Sequence, residues 1–166
     1  MLVVKDAMVL IHLAKISLLE KSCSYFNDVI TPKKVHEEVM EGLSKGYVDA
    51  KVIDNLVKEK KLRVLAIRNA ELVKKANEFN IQGGEAEAVA LYWQEKADLL
   101  ATDDDNVRKK EAIIGIKLIG TLAILLKLKL KKLIDAQKFE DSISELRKIG
   151  WFGSAVLDKA LMEGLK

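Results

Sequence analysis

The sequence predicts an α/β domain built on a central, mostly parallel sheet with helices on both faces. Three observations predict it. The short apolar runs Leu2-Val3-Val4, Ala97 to Thr102 and Ile116 to Ile119 lack polar alternation, as strands buried on both faces do. Between them lie segments whose apolar residues recur at helical spacing. Each run ends at a polar or small residue, Asp6, Asp103 or Gly120, that introduces the next helical segment.

In chain order, Leu2-Val3-Val4 turns at Asp6 into a helix through Val9, Leu10, Leu13 and Ile16. Phe26 to Thr31 is predicted as a short strand, and Pro32 opens a helix with Val35, Val39 and Leu43 on one stripe, ending between Gly42 and Gly46. Residues 48–60 form an amphipathic helix through Val52, Ile53, Leu56 and Val57, and Leu62 to Ile67 alternates weakly, as an edge strand does. Helices are predicted over 69–79 and, after the punctuation of Gly83-Gly84, over 85–95. Asp103-Asp104-Asp105 stops the next strand and leads into one helix over 105–114; after the last strand, Gly120-Thr121 caps a helix over 122–130. Tail helices over 136–149 and 154–165 are parted by Gly150-Trp151-Phe152-Gly153. Residues 1–134 are thus expected as the domain and 135–166 as a helical extension packed on it.

A length of 166 residues fits one domain, and 49% hydrophobic with 32% charged residues excludes disordered and collagen-like chains. With 28 basic and 25 acidic residues the net charge is +3, too small for a basic coat, so any nucleic-acid contact must be local. The single Cys23 excludes an intramolecular disulfide and a multi-thiolate zinc site and suits a reducing cytosol, so a cytoplasmic location is expected. No membrane partner is expected: the N-terminus lacks the basic region of a signal peptide, and the run 112–126 is short and carries Lys117.

Ligands of parallel sheets bind beyond the carboxyl ends of the strands, so the residues just after strands are the place to look. Asp6 and the run Asp103 to Asp105 stand there, and Glu38 and Glu85 lie one helix turn from the same edge. Each has an ordinary alternative: Asp6 as an N-cap, Glu38 as a solvated helix residue, Glu85 as a complement to a helix dipole, and the Asp run as a cap plus a partner for Arg108. Converging carboxylates repel and lose hydration unless a cation neutralises them, and oxygen-only donors select Mg²⁺ or Mn²⁺ over zinc. Such a site suits water activation and phosphodiester cleavage.

The pieces DAMVLIHL (6–13), TPKKVHEEV (31–39), GEAEAVAL (84–91), ADLLATDD (97–104) with Arg108, and IGTLAILL (119–126) resemble, in order and spacing, the PIN-domain family. They resemble most its archaeal and bacterial branch with Gly-Glu and Gly-Thr-Leu motifs. The resemblance covers nearly the whole chain and implies a three-layer α/β/α sandwich with C-terminal helices. It also implies a metal-dependent ribonuclease, often the toxin of a toxin–antitoxin pair, with RNA as substrate, a small antitoxin as partner and a homodimer as assembly. Carried over, Asp6, Glu38, Glu85 and Asp104 are the catalytic and metal-site acids, with Asp103 the alternative in register, and Thr102 orients the last loop. Many relatives place Ser, Thr or Asn at the two positions after the first Asp, where this chain has Ala7 and Met8. The alternative reading is therefore a catalytically inactive module that binds RNA or a protein partner. A receiver-like reading lacks the Lys it needs after a late strand, since Gly120-Thr121 stands there, and a dehalogenase-like reading meets Met8 where its second Asp belongs.

Arg108, Lys109 and Lys110, beside the Asp run, are the expected contacts for a substrate backbone. The lysines of 127–132 read as a solvated helix end, His12 and His36 as packing or surface residues, and Trp151-Phe152 as core or interface. Aromatic residues are not interleaved with the basic runs, which gives base stacking little support from sequence.

Overall fold

A computed structural model describes residues 1–166. The elements are β1 (Leu2–Lys5), α1 (Ala7–Lys15), α2 (Leu19–Phe26), β2 (Asp28–Pro32), α3 (Lys33–Ser44), α4 (Val48–Lys58), β3 (Arg63–Leu65) and α5 (Ala70–Glu78). There follow α6 (Gly83–Glu95), β4 (Leu99–Ala101), α7 (Asp105–Arg108), α8 (Glu111–Ile114), β5 (Leu118–Ile119), α9 (Thr121–Leu130), α10 (Ala136–Ile149) and α11 (Ser154–Gly164). All neighbouring strands are parallel, in the order β3-β2-β1-β4-β5.

Successive residues of a strand face opposite sides, and each side has its own core. Val3, Val29, Ala101 and Ile119 pack with α1, α2, α4 and α9, whereas Val4, Ile30 and Leu100 pack with α5 and α6. The sheet is therefore the middle of three layers, as expected. The tail adds to the first core: Phe139, Ile143 and Leu146 of α10 and Leu157 of α11 are buried in it.

Four local expectations need correction. Helix α2 was not anticipated, and Phe26 ends it rather than opening β2. Leu43 is exposed at the end of α3, past the stripe formed by Val35 and Val39. The stretch 105–114 is two single turns, α7 and α8; Lys110 Nζ donates to the Phe79 carbonyl and Glu111 Oε1 accepts from the Leu118 amide, anchoring the break. Thr121 is the first residue of α9 and makes no cap bond; Gly83 and Gly84 likewise lie inside the first turn of α6. No helix is long and apolar enough to cross a membrane.

The strand order reverses between β1 and β4, and the crevice at such a point is where parallel sheets bind ligands. Lys5 pairs with Ala101 and Ala101 with Ile119, which brings Asp6, Thr102 and Gly120 level at one edge.

Candidate active site

Asp6 leaves that edge as the N-cap of α1. Its amide donates to the Ala101 carbonyl at 3.0 Å and its Oδ1 accepts from the Val9 amide at 3.0 Å, so it does serve as a cap. The side chain is only 3% exposed. Burial pushes its carboxyl up to about 7; hydrogen bonding to Thr102 and Val9 opposes the rise, and the charges of Asp103 and Glu85 add to it.

Asp103 and Asp104 divide the work at the end of β4. Asp103 is buried and both of its oxygens are engaged: Oδ1 accepts from the Thr121 amide at 2.8 Å, and Oδ2 from the Thr121 hydroxyl at 2.5 Å and from His12 Nδ1 at 2.7 Å. The bond to His12 requires the proton on Nδ1 when Asp103 is ionised. Asp104 is half-buried, caps α7 through the Val107 amide at 2.9 Å and is oriented by its own amide donating to Thr102 Oγ1 at 3.1 Å. Asp104 and Glu85 line one open cleft of about 320 Å³, whose other walls are Asn80, Gln82 and Asn106.

Glu38 reaches the same edge from α3. It rests against Gly84 in the first turn of α6, where a Cβ would lie 2.8 and 2.9 Å from its two carboxylate oxygens. Glycine is needed here for close approach. Partial burial raises the Glu38 pKa, the neighbouring Glu85 charge adds, and Lys34 opposes. Four carboxylates, Asp6, Glu38, Glu85 and Asp104, thus gather at one end of the sheet, and none has a lysine, arginine or histidine within 4.0 Å.

The cations named from sequence behave differently from one another. Arg108 forms no ion pair with the Asp run; its Nη1 donates to the Thr102 carbonyl at 3.1 Å. Lys110 is tied to the Phe79 carbonyl at 2.6 Å and to Asn106 Oδ1 at 2.8 Å, so its ammonium serves the fold, while Lys109 is exposed. Two features escaped sequence reasoning. One is the buried chain His12–Asp103–Thr121, for which the Gly-Thr-Leu segment was the available signal. The other is the cover over His12, whose ring lies 5.3 Å from Phe152 and 6.2 Å from Trp151 between centroids.

No three His, Cys, Asp or Glu side chains close around one point as a protein-built metal cage would. The donors nevertheless suit a hard divalent ion, because they are all oxygen, mutually repelling and without a cation in ion-pair contact. Mg²⁺ in particular keeps several waters and needs only one or two carboxylates from the protein.

Neither a curated protein nor a solved structure matches the chain significantly. A family model described as a PIN domain, a nuclease-type fold, matches residues 2–165. With nearly its whole length inside that match, the chain belongs to the PIN-domain family.

Proposed function

We propose that this protein is a Mg²⁺- or Mn²⁺-dependent endoribonuclease acting on single-stranded RNA. The observation that carries the reading is the group of four acids without a cation in ion-pair contact at the sheet's carboxyl edge. An arrangement that repels itself, with no cation within 4.0 Å and only Lys34 acting on Glu38 from further away, is unfavourable unless a further cation compensates it. Asp6, Glu85 and Asp104 would hold the ion, with Glu38 kept in reach by Gly84. Asp103, with both oxygens engaged, is a positioning residue that fixes the loop through Thr121 and His12. The ion, when bound, supplies charge stabilisation at the phosphodiester and an activated water. Arg108 and the exposed Lys109, which follow the Asp run in sequence, would be contacts for the RNA backbone.

A role as the toxin of a toxin–antitoxin pair, a small antitoxin that covers the cleft, and a homodimer rest on the family resemblance alone. The buried, unpaired Cys23 supports a reducing, cytoplasmic setting. Ala7 and Met8 favour a second reading, a module that binds RNA or a partner without cutting, since neither offers a hydroxyl at the start of α1.

Cleavage of labelled single-stranded and structured RNAs with Mn²⁺, Mg²⁺ or EDTA separates the two. Metal-dependent cutting is expected, with Asp6→Asn and Asp104→Asn each reducing kcat by at least about a hundredfold while the fold persists. Cutting that persists in both variants, or in EDTA, would sink the nuclease assignment at this site. A folded protein that binds RNA without cutting any of the panel would support the binding module.

A further inference from the structure

Beside the acidic cleft lies a separate cavity of about 390 Å³ between the end of β4, the start of α9 and the turn joining α10 to α11. Its size falls in the range of about 300–1,000 Å³ typical of small-molecule sites. Its lining includes Arg108 and Gly120 from the sheet edge and Trp151, Phe152 and Val156 from the tail. Arg108 and Trp151 are 43 positions apart in sequence, so their meeting is a product of the fold.

Each group suits a different part of one ligand. The Arg108 guanidinium is held by the Thr102 carbonyl and lies against Gly120, where a Cβ would stand 3.0 Å from Nη1. It has no carboxylate within 4.0 Å, so its remaining N–H groups are available to an anion. Trp151 is 46% exposed, although its inner side packs on His12. A half-exposed indole that lines the cavity offers a surface on which a base can stack, and Gly150 at φ +81° lies in the turn that presents it. Asp103 also lines the cavity, joining it to the acids around Asp6. Asp105, on the same short helix α7 as Arg108, lines the cavity too, so a phosphate there is held by Arg108 against the repulsion of two carboxylates.

We propose that this cavity is a nucleotide subsite of the RNA track, in which Trp151 stacks a base and Arg108 binds the adjoining phosphate. It rests on the nuclease reading and deepens it, since it places one flanking nucleotide beside the cutting site. A protein side chain would use the apolar wall equally well, but it would leave the unpaired guanidinium without a partner.

The test is binding of a labelled single-stranded hexaribonucleotide in EDTA, where no cutting occurs, beside the same backbone with abasic positions. Trp151→Leu keeps an apolar cover on His12 without a π-face and is expected to weaken binding of the base-bearing strand about tenfold. Trp151→Phe should retain most of the affinity, and the abasic strand should respond to neither. Arg108→Gln should weaken both strands and lower the salt slope by about 0.7. Equal binding of the base-bearing strand by wild type and Trp151→Leu overturns the subsite. If Asp6→Asn still abolishes metal-dependent cutting, the nuclease reading survives that result. Wild-type protein that neither binds nor cuts any RNA overturns both, and a peptide that displaces no RNA yet requires Trp151 also counts against the subsite.

Discussion

Asp6 is costly to the protein without metal, and the sign of that cost is measurable. Its carboxyl titrates near 7 when folded and near 3.8 as an ordinary aspartate, so the folded chain binds the proton more tightly. Below about pH 4 the group is protonated in both states and costs nothing; as pH rises toward 7 the unfolded chain ionises first, and stability falls. Above pH 7 the loss is complete, at most about 4 kcal/mol from a shift of roughly three units. Asn caps a helix as well as Asp does, so Asp6→Asn removes the charge and keeps the cap. The expected outcome is a variant without metal that melts several degrees above wild type at pH 8 and nearly level with it at pH 4. Added Mn²⁺ should raise the wild-type melting temperature more at pH 8 than at pH 5 and leave the variant unmoved. A variant no more stable than wild type at pH 8 would show that the buried carboxylate is neutralised by some other means. The position of Asp6 was legible because it follows a recognisable strand, but its pKa was not, since burial and the charges of Asp103 and Glu85 come from distant segments. Lys5 is less legible still, because the apolar run Leu2-Val3-Val4 ends before it. The structure buries it with its ammonium on Ser22 Oγ and lowers its pKa to about 8 through burial.

At the scale of elements, the first turn of α6 shows how a glycine can serve a site without any positive φ. Gly84 gives room to the Glu38 carboxylate, and a methyl group there meets the flexible end of that side chain rather than backbone. Gly84→Ala should therefore keep the fold, with stability changed by no more than about 1 kcal/mol because Ala is also the better helix former. The displaced carboxylate should lower kcat/KM at least about tenfold, as small misplacements at reacting groups do. Unchanged cleavage with unchanged metal dependence would remove Glu38 from the site. Elements with internal periodicity, such as α1, α4 and α10, were readable from sequence because their own apolar stripes dictate them, and α6 was readable from its run of good helix formers after Gly83-Gly84. Helix α2 was not, because its stripe of Leu19, Cys23 and Phe26 is only two turns long and its N-cap, Leu18, makes no side-chain bond. The break between α7 and α8 has no breaker residue in DNVRKKEAII; contacts from Lys110 to Phe79 and from Glu111 to Leu118 impose it from outside.

For the whole molecule, the question is whether the tail is an appendage or a structural part of the domain. Sequence reading divides the chain after residue 134, yet α10 and α11 place Phe139, Ile143, Leu146 and Leu157 in the same core as α1 and α9. Gly164 closes this layer: a Cβ there would run into the Phe139 ring, so the backbone of α11 lies directly against that ring of α10. Four large buried side chains at roughly 1.5–3 kcal/mol each contribute about 6–12 kcal/mol of burial, against which the entropy of ordering the tail is set. Removing the tail would also uncover the face of α9 on which α10 and α11 pack. A chain ending at Ile134 is therefore expected to lose cooperative unfolding and to aggregate, and a chain ending at Ile149 to be weakened but folded. Urea unfolding followed by far-ultraviolet circular dichroism checks both. A single sharp transition in the shorter chain would make the tail a dispensable cover. Loss of that transition would mean that the tail carrying the Trp151 turn belongs to the same cooperative unit as the sheet, so the cavity beside Arg108 forms only when the whole domain is folded.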